Sequence, residues 1–153
     1  MTADLGSVLV EAINDEYMAR AMYCRVIEKF GEVRPFVNIV EAESRHIQAL
    51  LPLFRKYGIP VPEDDWESRV EAPASVLEAC NAGVQAEIAN ADMYARLLDA
   101  TTQYPDVQSV LRQLQRASRE NHLPAFQRCV ASGGSNGGGR GMGRRQRRGQ
   151  GPR

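Results

Sequence analysis

Glu43-Ser44-Arg45-His46 sets a carboxylate and an imidazole three residues apart, one turn of a helix. Around them Phe36, Ile39, Val40, Ile47, Leu50, Leu53 and Phe54 recur at helical spacing, so Glu43 and His46 fall on the stripe that faces the core. An ionised carboxylate is costly to bury unless a partner compensates it, and a cation is the most economical partner. Glu-x-x-His is also the ligand unit of carboxylate-bridged two-metal sites built between helices. The question for the rest of the chain is whether it supplies further ligands at the same depth.

Three more helical stripes are interrupted in the same way. Glu16 breaks the apolar series Leu5, Leu9, Ala12, Ala19, Tyr23, Ile27, Phe30. Glu87 breaks Leu77, Cys80, Val84, Tyr94, Leu97, Leu98. His122 lies on the face formed by Val107, Val110, Leu111, Leu114, Ser118, Ala125 and Cys129. An internal repeat ties these positions together. Glu16, Met22, Tyr23 and Arg25 recur at the same offsets as Glu87, Met93, Tyr94 and Arg96, and His46-Ile-Gln-Ala-Leu answers His122-Leu-Pro-Ala-Phe. The chain is two copies of one helical hairpin, each with a core Glu on its first helix and a core His on its second. At about 1.5 Å of rise per residue, Glu87 and His122 are level, and Glu16 is within about a turn of Glu43 and His46.

The expected metal ligands are therefore Glu16, Glu43, His46, Glu87 and His122, with Glu43 and Glu87 as bridging carboxylates. The repeat is imperfect: the counterpart of Glu43 is Arg119. Glu120 beside it is rotated about 100° away and joins the set only if Pro124 turns it inward. Carboxylate and imidazole ligands suit two ions of iron or manganese, with zinc also possible. The competing reading is a set of buried ion pairs to Arg20, Arg45 or Arg119. Tyr23 and Tyr94, two turns along from Glu16 and Glu87, are placed either to fill the core or to serve catalysis by bonding a ligating carboxylate or passing an electron.

The elements that position these residues are all helices. Asp4 caps a first helix that ends at Gly31. A second runs from Pro35 to Tyr57, with Pro52 bending its last turns. Residues 58–74, with Pro60, Pro62 and an acidic run, form an extended crossover, Trp66 folding back onto the helices. Ser75-x-x-Glu78 caps a third helix running to about Thr101. The fourth starts at Pro105 and is bent by Pro124. One domain, residues 1–131, is followed by a Gly/Arg-rich tail, 132–153, with nothing to bury.

Formal net charge is zero over 153 residues, but residues 1–131 hold all 19 acidic and 13 of the 19 basic side chains, a net −6, and the tail holds +6. The three cysteines are far apart and form no C-x-x-C, which excludes a rubredoxin-like centre, a zinc knuckle and a thioredoxin motif. Each is expected to be a reduced thiol in a helix. No apolar run reaches the roughly 20 residues of a membrane helix, and the N-terminus lacks a basic signal-peptide region. The expected location is the cytoplasm.

The Glu-x6-Tyr helices, the Glu-x-x-His, the long crossover, the run Tyr57-Gly-Ile-Pro-Val-Pro and the segment Asn121-His-Leu-Pro-Ala-Phe126 make residues 4–131 resemble the ferritin-like superfamily on its rubrerythrin-related side. Within it the chain is most similar to a family of small bacterial and archaeal ferritin-like proteins without assigned function. The resemblance implies an all-α, ferritin-like four-helix bundle and a non-haem di-iron centre reacting with hydrogen peroxide or dioxygen. With no rubredoxin module, electrons would come from an external donor. The alternative is a non-enzymatic metal-binding or structural bundle acting through its Arg-rich tail on nucleic acid or another anionic partner. A homodimer is expected, and a storage cage is a further possibility.

Overall fold

Asp4 opens α1 (Leu5–Phe30): its Oδ1 accepts the Ser7 amide at 2.7 Å, satisfying one of the free N–H groups of the first turn. Gly31, at φ +91°, ends the helix in a conformation where any side chain would be strained. α2 (Phe36–Lys56) carries Pro52 inside it. α3 (Val76–Asp99) is capped by Ser75, whose Oγ accepts the Glu78 amide at 3.0 Å. α4 (Pro105–Ala117) begins on its proline, where no N–H is needed. It passes through a π turn at Ser118–His122 into α5 (Leu123–Ala131). The computed structural model describes residues 4–134, so most of the 132–153 tail lies outside the described residues. Among the described residues there is no strand, and no helix is long and apolar enough to cross a membrane.

Two apolar clusters stack along the helices. In the first, Leu9 and Ile13 of α1 meet Leu50 and Phe54 of α2, Leu97 of α3 and Leu111 of α4. In the second, Tyr23 and Val26 meet Phe36, Cys80, Phe126 and Cys129. The start of α1 thus packs on the ends of α2 and α3, which makes α1 antiparallel to both. The short connections, 31–35 and 100–104, each close a hairpin.

Residues 57–75 must travel the length of the molecule from one cluster to the other, and α1 holds them on the way. Trp66 Nε1 donates to Asn14 Oδ1 at 3.2 Å, Arg20 pairs with Asp64 at 3.1 Å, and Lys29 Nζ donates to the Pro73 carbonyl at 3.1 Å. A short 3-10 turn at Trp66–Ser68 puts the indole against the first cluster, as the sequence suggests.

Three expectations are corrected. The inner face of α3 keeps Cys80, Glu87, Tyr94 and Leu97, with Val84 and Leu98 partly buried against the clusters, but Leu77 is 37% exposed, and Ala79, Gly83, Asn90 and Met93 are buried in addition. Small residues win because the neighbours come close; a Cβ on Gly83 would lie 2.7 Å from the Phe126 ring. The fourth helix is not simply bent. Pro124 has no N–H for the Glu120 carbonyl, and the chain loosens into a π turn in which the Leu123 amide reaches back to Ser118. Finally, Cys80 and Cys129 are not thiols but a disulfide, with Cα atoms 6.1 Å apart. They face each other on antiparallel helices, and Cys24 is the free cysteine.

Candidate metal centre

Between the two apolar clusters lies a polar layer. Glu16, Glu43 and Glu87 are 1–3% exposed, His122 is 4% exposed and the His46 side chain 11%. α1 contributes Glu16, α2 Glu43 and His46, α3 Glu87, and the π turn His122. His46 Nδ1 is 3.1 Å from Glu16 Oε1 and 3.3 Å from Glu43 Oε1. His122 Nδ1 is 3.4 Å from Glu87 Oε1 and 3.6 Å from Glu43 Oε2. Glu43 therefore divides its two oxygens between two groups of three, Glu16–Glu43–His46 and Glu43–Glu87–His122, and could bind in both. The two imidazoles stack with centroids 5.5 Å apart.

The layer is short of positive charge. Among the described residues no Arg or Lys pairs with any of the three carboxylates: Arg20 goes to Asp64, and neither Arg45 nor Arg119 makes an ion pair. The buried Arg-carboxylate pairs that would have explained the core acids are absent here. Burial pushes the Glu16 carboxyl up. Hydrogen bonds from Glu43, His46 and Tyr94 and the charge of His46 outweigh this and hold it at about 2. Burial, the Glu16 charge and the bond between the two carboxyls push Glu43 well above the usual carboxylate range.

The tyrosines cross between hairpins. Tyr23 donates to Glu87 Oε2 at 2.9 Å and Tyr94 to Glu16 Oε2 at 2.5 Å. Burial, followed by the facing carboxylates, pushes both phenols well above their ordinary value and keeps them as donors. Beside the layer, Asn90 donates to Asp15 and accepts from Ser118, joining α1, α3 and the π turn. Burial above all pushes Asp15 up to about 6.

The structure brings Glu16, Glu43, His46, Glu87 and His122 together. Glu120 stands exposed and belongs to neither group; on the π turn the inward positions are Ser118 and His122. Glu87, expected like Glu43 to face both groups, falls in the second alone, and its other oxygen accepts from Tyr23. Sequence reasoning missed Asp15 and Asn90, although Asn90 lies one turn beyond Glu87 and is polar on a buried face. His122 Nδ1 is buried with no hydrogen-bond partner. Ligand atoms each about 2.1 Å from a shared ion lie roughly 3.0–3.4 Å apart, close to the spacings seen here. The residues fit a metal.

The chain belongs to the uncharacterized protein domain family DUF2202, whose profile matches residues 7–146. It is 30% identical over 146 residues to the uncharacterized protein MJ0754 of Methanocaldococcus jannaschii, covering 84% of this chain and 76% of that protein. The crystal structure of hypothetical protein MJ0754 from Methanococcus jannaschii superposes with a TM-score of 0.77 at 26% identity, over 89% of this chain and 85% of that one.

Proposed function

We propose that the chain is a ferritin-like two-metal protein that oxidises ferrous iron with hydrogen peroxide or dioxygen, serving peroxide reduction or iron detoxification. The observation that carries this reading is Glu43, whose two oxygens face two separate carboxylate–imidazole groups. The order of short, long and short connections, with the long one spanning the helices, supports the ferritin-like arrangement. Oxygen and imidazole donors with no thiolate among them favour iron or manganese over softer ions.

Two iron ions held there would together supply the two electrons that peroxide takes up on reduction to water. The chain's own residues do the rest. Glu43 would contribute to both positions, with Glu16 and His46 completing one and Glu87 and His122 the other. Tyr94 and Tyr23 orient the outer carboxylates by bonding the oxygen that faces away from the imidazole. Apolar clusters above and below keep bulk water out, while the partial exposure of His46 leaves a way in for a small oxidant. Re-reduction falls to a separate donor. The Cys80–Cys129 disulfide favours an oxidising compartment over the cytoplasm.

The test is metal content per chain, anaerobic ferrous titration and stopped-flow oxidation by peroxide and by dioxygen, for the native chain and Glu87→Gln. Two irons per chain, oxidised rapidly and lost in the variant, are expected. One metal or none, with no oxidation, would overturn the proposal.

A further inference from the structure

The groove between α2 and α5 holds a cavity of about 460 Å³, and its chemistry is opposite to that of the buried layer. Arg34, Asn38 and Arg45 line one wall, Asn121 and Arg128 the other, and His122 lies at its base. No Asp or Glu lines it. Arg20, Arg25, Arg69 and Arg96 make ion pairs, whereas the guanidiniums of Arg34, Arg45 and Arg128, like those of Arg55, Arg116 and Arg119, have no ion pair or hydrogen bond to any described residue. What sets these three apart is that they share one cavity with no acid on it, in residues 1–131 that carry a net −6.

The helix register arranges these groups. Asn38 and Arg45 are seven residues apart on α2, and Asn121 and Arg128 are seven apart on the facing, antiparallel segment. The His46–His122 stack and the Phe36–Phe126 contact at 5.2 Å set the register, bringing Arg45 level with Asn121 and Asn38 with Arg128. Each end of the cavity then offers a guanidinium beside an amide, a pair suited to the oxygens of a phosphate or carboxylate. The volume far exceeds what peroxide or dioxygen needs.

We propose that this cavity binds a small oxyanion of two or more charges, phosphate- or carboxylate-bearing, against His122. Binding itself depends only on the arginines; that the anion then sits beside a metal rests on the reading in the preceding section. His122 belongs to both sites, so an occupied cavity covers the side of the polar layer that this imidazole closes.

The test is calorimetric titration of the full, metal-free chain with inorganic phosphate and, separately, with citrate, at low ionic strength. Native chain, Arg45→Gln/Arg128→Gln and Glu87→Gln are compared, with His122 followed by NMR. One saturable site is expected, with the His122 signals shifting on addition. Affinity should fall at least roughly tenfold in the double arginine variant, the loss of charge-assisted contacts, and persist in Glu87→Gln. The tighter of the two probes identifies the oxyanion class. No saturable binding of either probe, or binding unchanged in the arginine variant (anion held by the tail arginines), overturns the proposal. Anion binding without metal binding would defeat only the two-metal reading; metal binding without anion binding would defeat only this one.

Discussion

Replacing Tyr94 by Phe removes one oxygen and leaves the ring packing intact. The bond it deletes joins a fully buried hydroxyl to Glu16, which is 1% exposed, so water cannot take the donor's place. A hydrogen bond to a charged group contributes about 1.5–3 kcal/mol. His46 still holds the other Glu16 oxygen at 3.1 Å, which limits the loss. A deficit of about 2 kcal/mol follows, or roughly 5–10 °C in melting temperature for a domain of this size. The pH dependence has a definite sign. Glu16 is held below the ordinary carboxylate range, so its contribution is present above about pH 4.5 and is lost as pH falls toward about 2. The difference between native chain and variant is therefore full near neutrality and shrinks on acidification. Urea unfolding of metal-free protein followed by circular dichroism measures both. A variant within about 0.5 kcal/mol of native at pH 7, or a deficit independent of pH, would refute the assignment of this hydroxyl to an ionised carboxylate.

Three further outcomes are expected. Reducing Cys80–Cys129, which closes a sequence separation of 49, should cost about 4 kcal/mol by loop entropy; urea midpoints with and without reductant test it, and equal midpoints would contradict the bridge. Gly83→Ala places a methyl 2.7 Å from the buried Phe126 ring and should destabilise by about 1–3 kcal/mol, measured by thermal melting. Asp15, raised to about 6 chiefly by burial, gives stability that is full below about pH 4 and lost as pH rises through 6. Asp15→Asn should therefore match native at pH 4 and exceed it by about 1–2 kcal/mol at pH 8, the figure discounted for the carboxyl's partial exposure. A variant weaker at pH 8 would mean that the Asn90 bond needs the charge.

The helix ends and the polar layer were legible because their signals are local or repeated. Asp4 and Gly31 announce α1, and Glu16, Glu43, Glu87 and His122 each interrupt an apolar stripe at matching depth. What escaped depends on how far each helix is rotated about its axis. Hydropathy favoured Leu77, which is exposed, but close approach of Phe126 selects Gly83. The disulfide was nearly readable: Cys80 lies seven residues before Glu87 and Cys129 seven after His122, so two levelled residues imply two more. A separation of 49 residues hid this. Glu120 depended on how Pro124 is absorbed, and a π turn cannot be told from a bend by composition.

The crossed tyrosines carry a consequence for what a hairpin is. Tyr23 donates to Glu87 and Tyr94 to Glu16, so each half bonds one oxygen of the other half's buried carboxylate while its own histidine faces the remaining one. Two identical hairpins facing each other across a twofold axis would make the same pair of bonds, each patch reciprocated by its copy. The chain is in this sense a symmetric dimer written on one strand. Residues 57–75 act as the tether that raises the effective concentration of one half beside the other. Their sequence is then constrained by the distance they must span along α1 and by the anchors Asp64 and Trp66 that hold them to it.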